Sequence, residues 1–347
     1  MGAQITTKDI AEKLGVSRGT VSKALNGRDK IDERTRRLIK KTAAEMGYKN
    51  PKTAQPGQQG VPVKPSGIIS LMIREYQVGG GPGSYWPTLM KSFGEEVAAR
   101  NHKYMVNVIS SANEETLSLP KSFESDPPAG IVTIGPINRS YYQRIQSSKI
   151  PAVFIDTASN VSDSEIFGDT LFICNREYTF NMTSHLIEQG HVKLGFIGSC
   201  LSARSFQERY GGFCDALEKN NIPPCGEFIF NNDVDLIRDW MLSLKRYPTA
   251  FVCANDLYAL LARATLNESG LDVPKDIALC GFDNDPGASL LFPDLTTVDS
   301  HVQYIGKRAL QELFWRIENP GAPYEAIKIT SDIYYRNSTE GYVFPKK

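Results

Sequence analysis

Apolar and polar positions along the chain predict three short helices, then a long alternation of strands and helices. Ile10, Ala11 and Leu14 recur at helical spacing behind a Thr6–Asp9 pair ordered as a capping box, and Gly15 closes that helix. Ser17 caps a second helix with Val21, Ala24 and Leu25 turned inward, leaving Arg18, Thr20, Ser22 and Lys23 on the remaining surface. Asp32 caps a third, whose Leu38, Ile39, Thr42, Ala43 and Met46 form one stripe ending at Gly47. Two short helices joined by a tight glycine turn and braced by a third predict a helix-turn-helix over residues 1–50.

Residues 51–66 are rich in Pro, Gly, Gln and Lys without apolar periodicity, and read as a linker. From residue 67 onward the runs GIISLMI, YMVNVI, GIVTIG, AVFID, TLFIC, LGFIG, TAFVCA and IALCGF alternate with helical stretches. That alternation predicts an α/β body of parallel sheets covered by helices on both faces, with enough strands for two sheets.

The hydrophobic fraction of 41% supports real cores, and 347 residues favour two or three compact units. No apolar run approaches the ~18 to 20 residues that span a bilayer, and no signal-type stretch opens the chain, so a soluble cytoplasmic protein without a membrane partner is expected. The six cysteines form no CxxC pair and mostly sit in apolar runs, which suits reduced core residues. Charge is unevenly placed: residues 1–66 carry 14 Lys and Arg against 6 Asp and Glu, the remainder 25 against 33. A basic head on an acidic body is the footprint of nucleic-acid binding by the head, since a second helix of this kind can enter the major groove while its Ser and Thr residues meet phosphates.

In parallel sheets, ligands bind beyond the carboxyl ends of the strands, so polar residues following apolar runs are candidates: Asp156 after AVFI, Asn255 and Asp256 after FVCA, and Asp283 after LCGF. Turn and helix-cap duty is the competing role for each. Tyr85 and Trp86 follow GGGPGS and could stack on a ring or simply pack. GGGPGS lacks the Gly-Lys-Ser/Thr of a phosphate loop, no G-x-S-x-G elbow occurs, and the four histidines have no metal-ligand spacing, so neither catalysis, cofactor nor metal is expected.

TTKDIAEKLGVSRGTVSKALNG followed by IDERTRRLIKKTAAEMGY resembles the DNA-binding head of the LacI/GalR family of bacterial transcription regulators. The resemblance implies that Arg18, Gly19 and Lys23 face bases while Thr6, Ser17, Thr20, Ser22, Asn26 and Tyr48 contact or support the DNA backbone. Gly19 offers no side chain for readout. Gly57, beside Pro56, stands where the family's hinge helix carries a leucine wedge, which puts that wedge in question. It further implies a periplasmic-binding-protein-like body, two doubly wound lobes joined by three crossovers near residues 169, 299 and 330. The first lobe is then expected at about 67–168 and 300–329, and the second at about 169–299 and 330–341.

By the same resemblance Arg209, in ERYGGF, joins Asp156, Asn255 and Asp283 as ligand-holding residues. Ser300 stands where some sugar-responsive members carry a glutamine. The implied function is a repressor, homodimeric on a pseudo-palindromic double-stranded operator, that answers a small effector, a sugar or sugar derivative with a nucleobase as the alternative. No leucine heptad follows the last strand, so a tetramerising helix is not expected. A sugar-binding receptor is the rival from another class; the basic head and the missing export signal speak against it.

Overall fold

The computed structural model describes residues 6–25, 32–46, 66–78, 85–287 and 294–342. Expectations for Asn26, Tyr48, the linker with Pro56 and Gly57, and the GGGPGS stretch fall outside them. The chain divides into two compact units, residues 1–63 and 64–347.

In the first unit, α1 (Thr7–Leu14), α2 (Arg18–Leu25) and α3 (Glu33–Glu45) enclose a small core. Ile10, Ala11, Val21, Ala24, Ile39 and Ala43 are buried there. Asp9 accepts from the backbone N–H and hydroxyl of Thr6 at 2.6 and 2.8 Å, and Gly15 takes the left-handed conformation, φ 64°, that ends α1. Leu38 departs from the predicted stripe: it is 53% exposed, because Ile39, Thr42 and Ala43 already fill the face of α3 turned to the other helices.

The second unit holds two six-stranded sheets. The first lobe comprises β1 (Ser66–Arg74), α4 (Tyr85–Ala99), β2 (Lys103–Ile109), α5 (Ser111–Thr116), α6 (Ser122–Ser125), β3 (Pro128–Ile134), α7 (Arg139–Ser147), β4 (Ala152–Ile155) and β5 (Asp169–Ile173). The second comprises α8 (Asn175–Glu188), β6 (Leu194–Ile197), α9 (Arg204–Lys219), β7 (Ile229–Phe230), α10 (Ile237–Ser243), β8 (Ala250–Cys253), α11 (Asp256–Glu268), β9 (Ala278–Asp283) and β10 (Thr296–Asp299). The chain then returns to the first lobe with α12 (Val302–Glu318) and β11 (Ala326–Ile329), and ends in the second with β12 (Asp332–Tyr334).

Strand order is β11-β5-β4-β3-β1-β2 in one sheet and β12-β10-β9-β8-β6-β7 in the other. All pairings are parallel except β12 with β10. The inner strands are buried on both faces, as helices on either side require. Alternate residues serve different cores: Val153 and Ile155 of β4 join the main cluster while Ala152 and Phe154 pack on the opposite face.

One boundary differs from expectation. β5 pairs with β4 and β11, so the first lobe runs on to Ile173 and the crossover follows it, not residue 168. A buried ion pair accompanies this pairing: Arg316 of α12 donates to Asp169 from Nε at 2.7 Å and Nη2 at 2.6 Å, tying the start of β5 to that helix.

Candidate functional site

In the head, the second helix presents the predicted surface. Ser17, Arg18, Gly19 and Lys23 are exposed, and Thr20 and Ser22 are half-buried. Ser17 Oγ accepts from Thr20 N–H at 3.1 Å, an amino-terminal cap, and lies 2.9 Å from the Thr20 hydroxyl. Arg18 Nε donates to Thr7 Oγ1 at 3.3 Å, tying α2 to α1. A methyl added to Gly19 would meet only Ser17 Oγ, at 3.6 Å, so packing within the head does not demand glycine there. Thr6 is engaged in the capping box of α1.

The second unit contains a cavity of about 1250 Å³ between its lobes. It opens where β4, β5, β8 and β9 end, which is where parallel sheets hold ligands. Tyr85, Trp86, Asp156, Arg209, Asn255 and Asp283 all line it. Ser300 does not: it is fully buried, and its Oγ donates to the Asp283 carbonyl at 3.2 Å. Its position inside the β10–α12 crossover keeps it behind Asp283, as a support for that residue.

Arg209 sits at the base of the cavity, only 5% exposed. Its Nε donates to Asn175 Oδ1 at 2.9 Å and its Nη1 to the Ala254 carbonyl at 2.6 Å; Nη2 stands 3.6 Å from Asp283 Oδ1. The guanidinium lies 3.6 Å from the Phe282 ring centre, so it stacks while it donates. Gly212, one turn along α9, makes this possible, because a Cβ there would come within 2.1 Å of the Arg176 carbonyl of α8. α9 therefore approaches α8 closely enough for Arg209 to reach Asn175.

Asp156 lines the cavity and is also engaged across it. Its carboxylate accepts from Thr157 N–H at 2.8 Å, and across the cleft from Ser205 N–H at 3.1 Å and Ser205 Oγ at 2.5 Å. With both oxygens engaged, it clasps one lobe to the other. The clasp extends through an Ala158–Ala203 bridge, Arg204 N–H to the Thr157 carbonyl at 2.8 Å, and an ion pair between Arg204 and Asp163.

Asn255 caps α11, its carbonyl oxygen accepting from Tyr258 N–H at 3.0 Å, so cap and cavity duty coincide. Asp283 closes β9 with φ 115°, a conformation that L side chains rarely adopt. Burial pushes its carboxyl well above the usual carboxylate range, opposed by Arg209 and reinforced by Asp256, Asp285 and Asp156. Burial likewise raises Asp285 to about 6 and Asp256 to about 7, the latter despite hydrogen bonds from Thr297 Oγ1 and Asp285 N–H. Asp256 fits under β9 because Gly281 has no Cβ, which would lie 2.2 Å from Asp256 Oδ1.

Sequence reading missed Asn175, Ser205 and Asp285. Asn175 directly follows the apolar run TLFIC, so the rule that marks Asp156 marks it too; Ser205 precedes Arg209 by four residues and shares its helix face.

Residues 6–50 match the family model of bacterial regulatory proteins, lacI family, and residues 183–339 match the periplasmic binding protein-like domain. Among curated relatives, the HTH-type transcriptional repressor PurR of Mannheimia succiniciproducens is 24% identical over 342 residues, 96% of this chain and 98% of that protein. A transcriptional regulator CelR–cellobiose complex superposes with a TM-score of 0.70 at 21% identity, covering 96% of this chain and all of the other. The lac repressor dimer bound to operator and the anti-inducer ONPF does so with a TM-score of 0.67 at 21% identity, covering 97% and 99%. No helix among the described residues is long and apolar enough to cross a membrane. With the head matched by the lacI-family model and the body by the periplasmic binding protein-like model, the chain combines the DNA-binding head of bacterial regulatory proteins of the lacI family with a periplasmic binding protein-like domain.

Proposed function

We propose that this protein is a homodimeric, sequence-specific DNA-binding repressor whose operator affinity is set by a small polar effector, a sugar or sugar derivative, held in the cleft. The observation that carries the reading is the coexistence in one chain of a helix-turn-helix with Ser17, Arg18 and Lys23 exposed and a cavity with Arg209 and Asp283 at its base. Arg18, Gly19 and Lys23 face bases, and Thr6, Ser17, Thr20 and Ser22 take or support phosphates. In the cleft Arg209, Asn255 and Asp283 hold the effector's polar groups, Tyr85 and Trp86 cover its ring, and Asp156 acts by clasping the lobes through Ser205. Cleft closure alters DNA affinity to the extent that the effector prefers one arrangement of the lobes. That the curated relative is named a transcriptional repressor and that one solved neighbour is a complex with cellobiose support this reading.

Selection of binding sites from random DNA tests it. The expected result is a two-fold symmetric site, and Arg18→Ala should flatten one position in each half-site, a loss of about 1–3 kcal/mol of base discrimination for a bidentate arginine. An unchanged sequence preference in the variant would remove Arg18 from base readout. A chain that enriches no sequence at all would remove the repressor reading.

A further inference from the structure

Carboxylates in the cleft outnumber the cations that could neutralise them. Asp156, Asp233, Asp235, Asp283 and Asp285 line it, against Arg74 and Arg209. Arg74 is taken by Glu114; Arg209 gives its hydrogen bonds to the neutral acceptors Asn175 and Ala254 and is the one counter-charge beside Asp283, so Asp156 and Asp285 have none of their own among the residues that line the cavity. Asp283 is nine-tenths buried and faces the cavity, yet no described residue donates a hydrogen bond to its carboxylate; its ionic neighbour Arg209 stays 3.6 Å away. Asp285, two residues on, accepts from the backbone N–H of Tyr85. The Tyr85 and Trp86 rings meet edge to face at 4.6 Å on the same cavity wall.

A buried carboxylate without a donor is costly, and three kinds of ligand relieve that cost unequally. A neutral polyol supplies hydroxyl donors and leaves the charge in place. An acid adds a further negative charge. An ammonium supplies up to three donors together with a second positive charge beside that of Arg209, and aromatic faces beside it add cation–π attraction.

We propose that the effector of this cleft is an organic cation, a small polar molecule whose protonated amine is taken by Asp283 and Asp285 while its body lies against Tyr85 and Trp86. This rests on the cleft being the effector site. Carbon skeletons that carry an amine are thereby favoured over the same skeletons carrying only hydroxyls, and those carrying a carboxylate are rejected.

Matched sets test the assignment: glucosamine, glucose and glucuronate; galactosamine, galactose and galacturonate; ethanolamine, ethylene glycol and glycolate. Each compound is titrated against the full chain at pH 7.5 and constant ionic strength, with melting temperature and calorimetry as readouts. The expected result is that, in the sets that bind, the amine binds about ten-fold or more tightly than its hydroxyl partner, the difference between a charged and a neutral hydrogen bond. Asp285→Asn should weaken the amine more than the hydroxyl and so narrow the difference between them. A hydroxyl or carboxylate member that binds as tightly as its amine overturns the charge assignment and leaves the cleft as effector site intact. Silence of every amine overturns the charge assignment too. Binding that persists undiminished when Trp86 is replaced by alanine and Asp283 by asparagine places the ligand elsewhere, and so overturns the cleft reading itself.

Discussion

Raising the salt concentration from about 50 to 200 mM should weaken operator binding by about 10³- to 10⁵-fold, if the dimer makes roughly 6–10 phosphate contacts. The basis is the concentration of positive charge: residues 1–66 hold 14 Lys and Arg against 6 Asp and Glu. Phosphates neutralised by such a head release condensed counterions, and that release is opposed by salt. The described surface of α2 adds uncharged donors, Ser17, Thr20 and Ser22, which set register and contribute little to the slope. Fluorescence anisotropy at several salt concentrations reads the effect as a straight log–log line. A flat line would mean that the head does not engage the DNA backbone.

The largest effect on stability should come from Asp169→Ala, which is expected to cost about 3–5 kcal/mol because it leaves the Arg316 charge buried without its partner. Asp169 is fully buried and Arg316 only 3% exposed. Arg316 also donates to the carbonyls of Ala322 and Pro323 at 2.7 and 2.8 Å, and Asp169 accepts from Glu325 N–H at 2.8 Å, so the pair sets the approach of β11 to β5. Removing both charges with Asp169→Ala and Arg316→Met should restore much of the loss, since no buried charge is then left alone. Urea unfolding of the full chain measures all three. A cost under about 1 kcal/mol for the single variant would put the pair on a par with surface ion pairs.

The same pair shows what the sequence makes legible and what it does not. Helices of the head could be read because their signals are local: Thr6 and Asp9 are three residues apart, as are Ser17 and Thr20. The alternating runs likewise reveal strands, as burial on both faces of β4 and β5 leaves no polar position to obscure them. Which sheet a strand joins is decided over longer distances. β5 pairs in the first lobe with β4 and β11, and its Asp169 meets a residue 147 positions away, a partner that nothing near Asp169 announces.

The site follows the same division. Strand-end positions of Asn255 and Asp283 could be read from the rule for parallel sheets, and both reach the cavity. Asp156 obeys the same rule, but its oxygens are claimed by Ser205, 49 residues along the chain, and its role as a clasp depends on that tertiary partner. Only its resemblance to a family position marks Ser300 in the sequence, and its hydroxyl turns back to the Asp283 carbonyl.

Under the proposed function the cleft governs the head's hold on DNA. Operator binding of the wild type and of Asp283→Asn, each normalised to its own effector-free affinity, tests it most directly. The effector used is the most strongly stabilising compound of the matched sets, whatever its charge. Asparagine keeps the size of Asp283 and tolerates its positive φ, so the change is confined to the charge. Loss of a charged hydrogen bond is worth about 1.5–3 kcal/mol, so the effector concentration at half-response should rise roughly ten- to a hundred-fold. A variant that responds at the wild-type effector concentration would contradict the account.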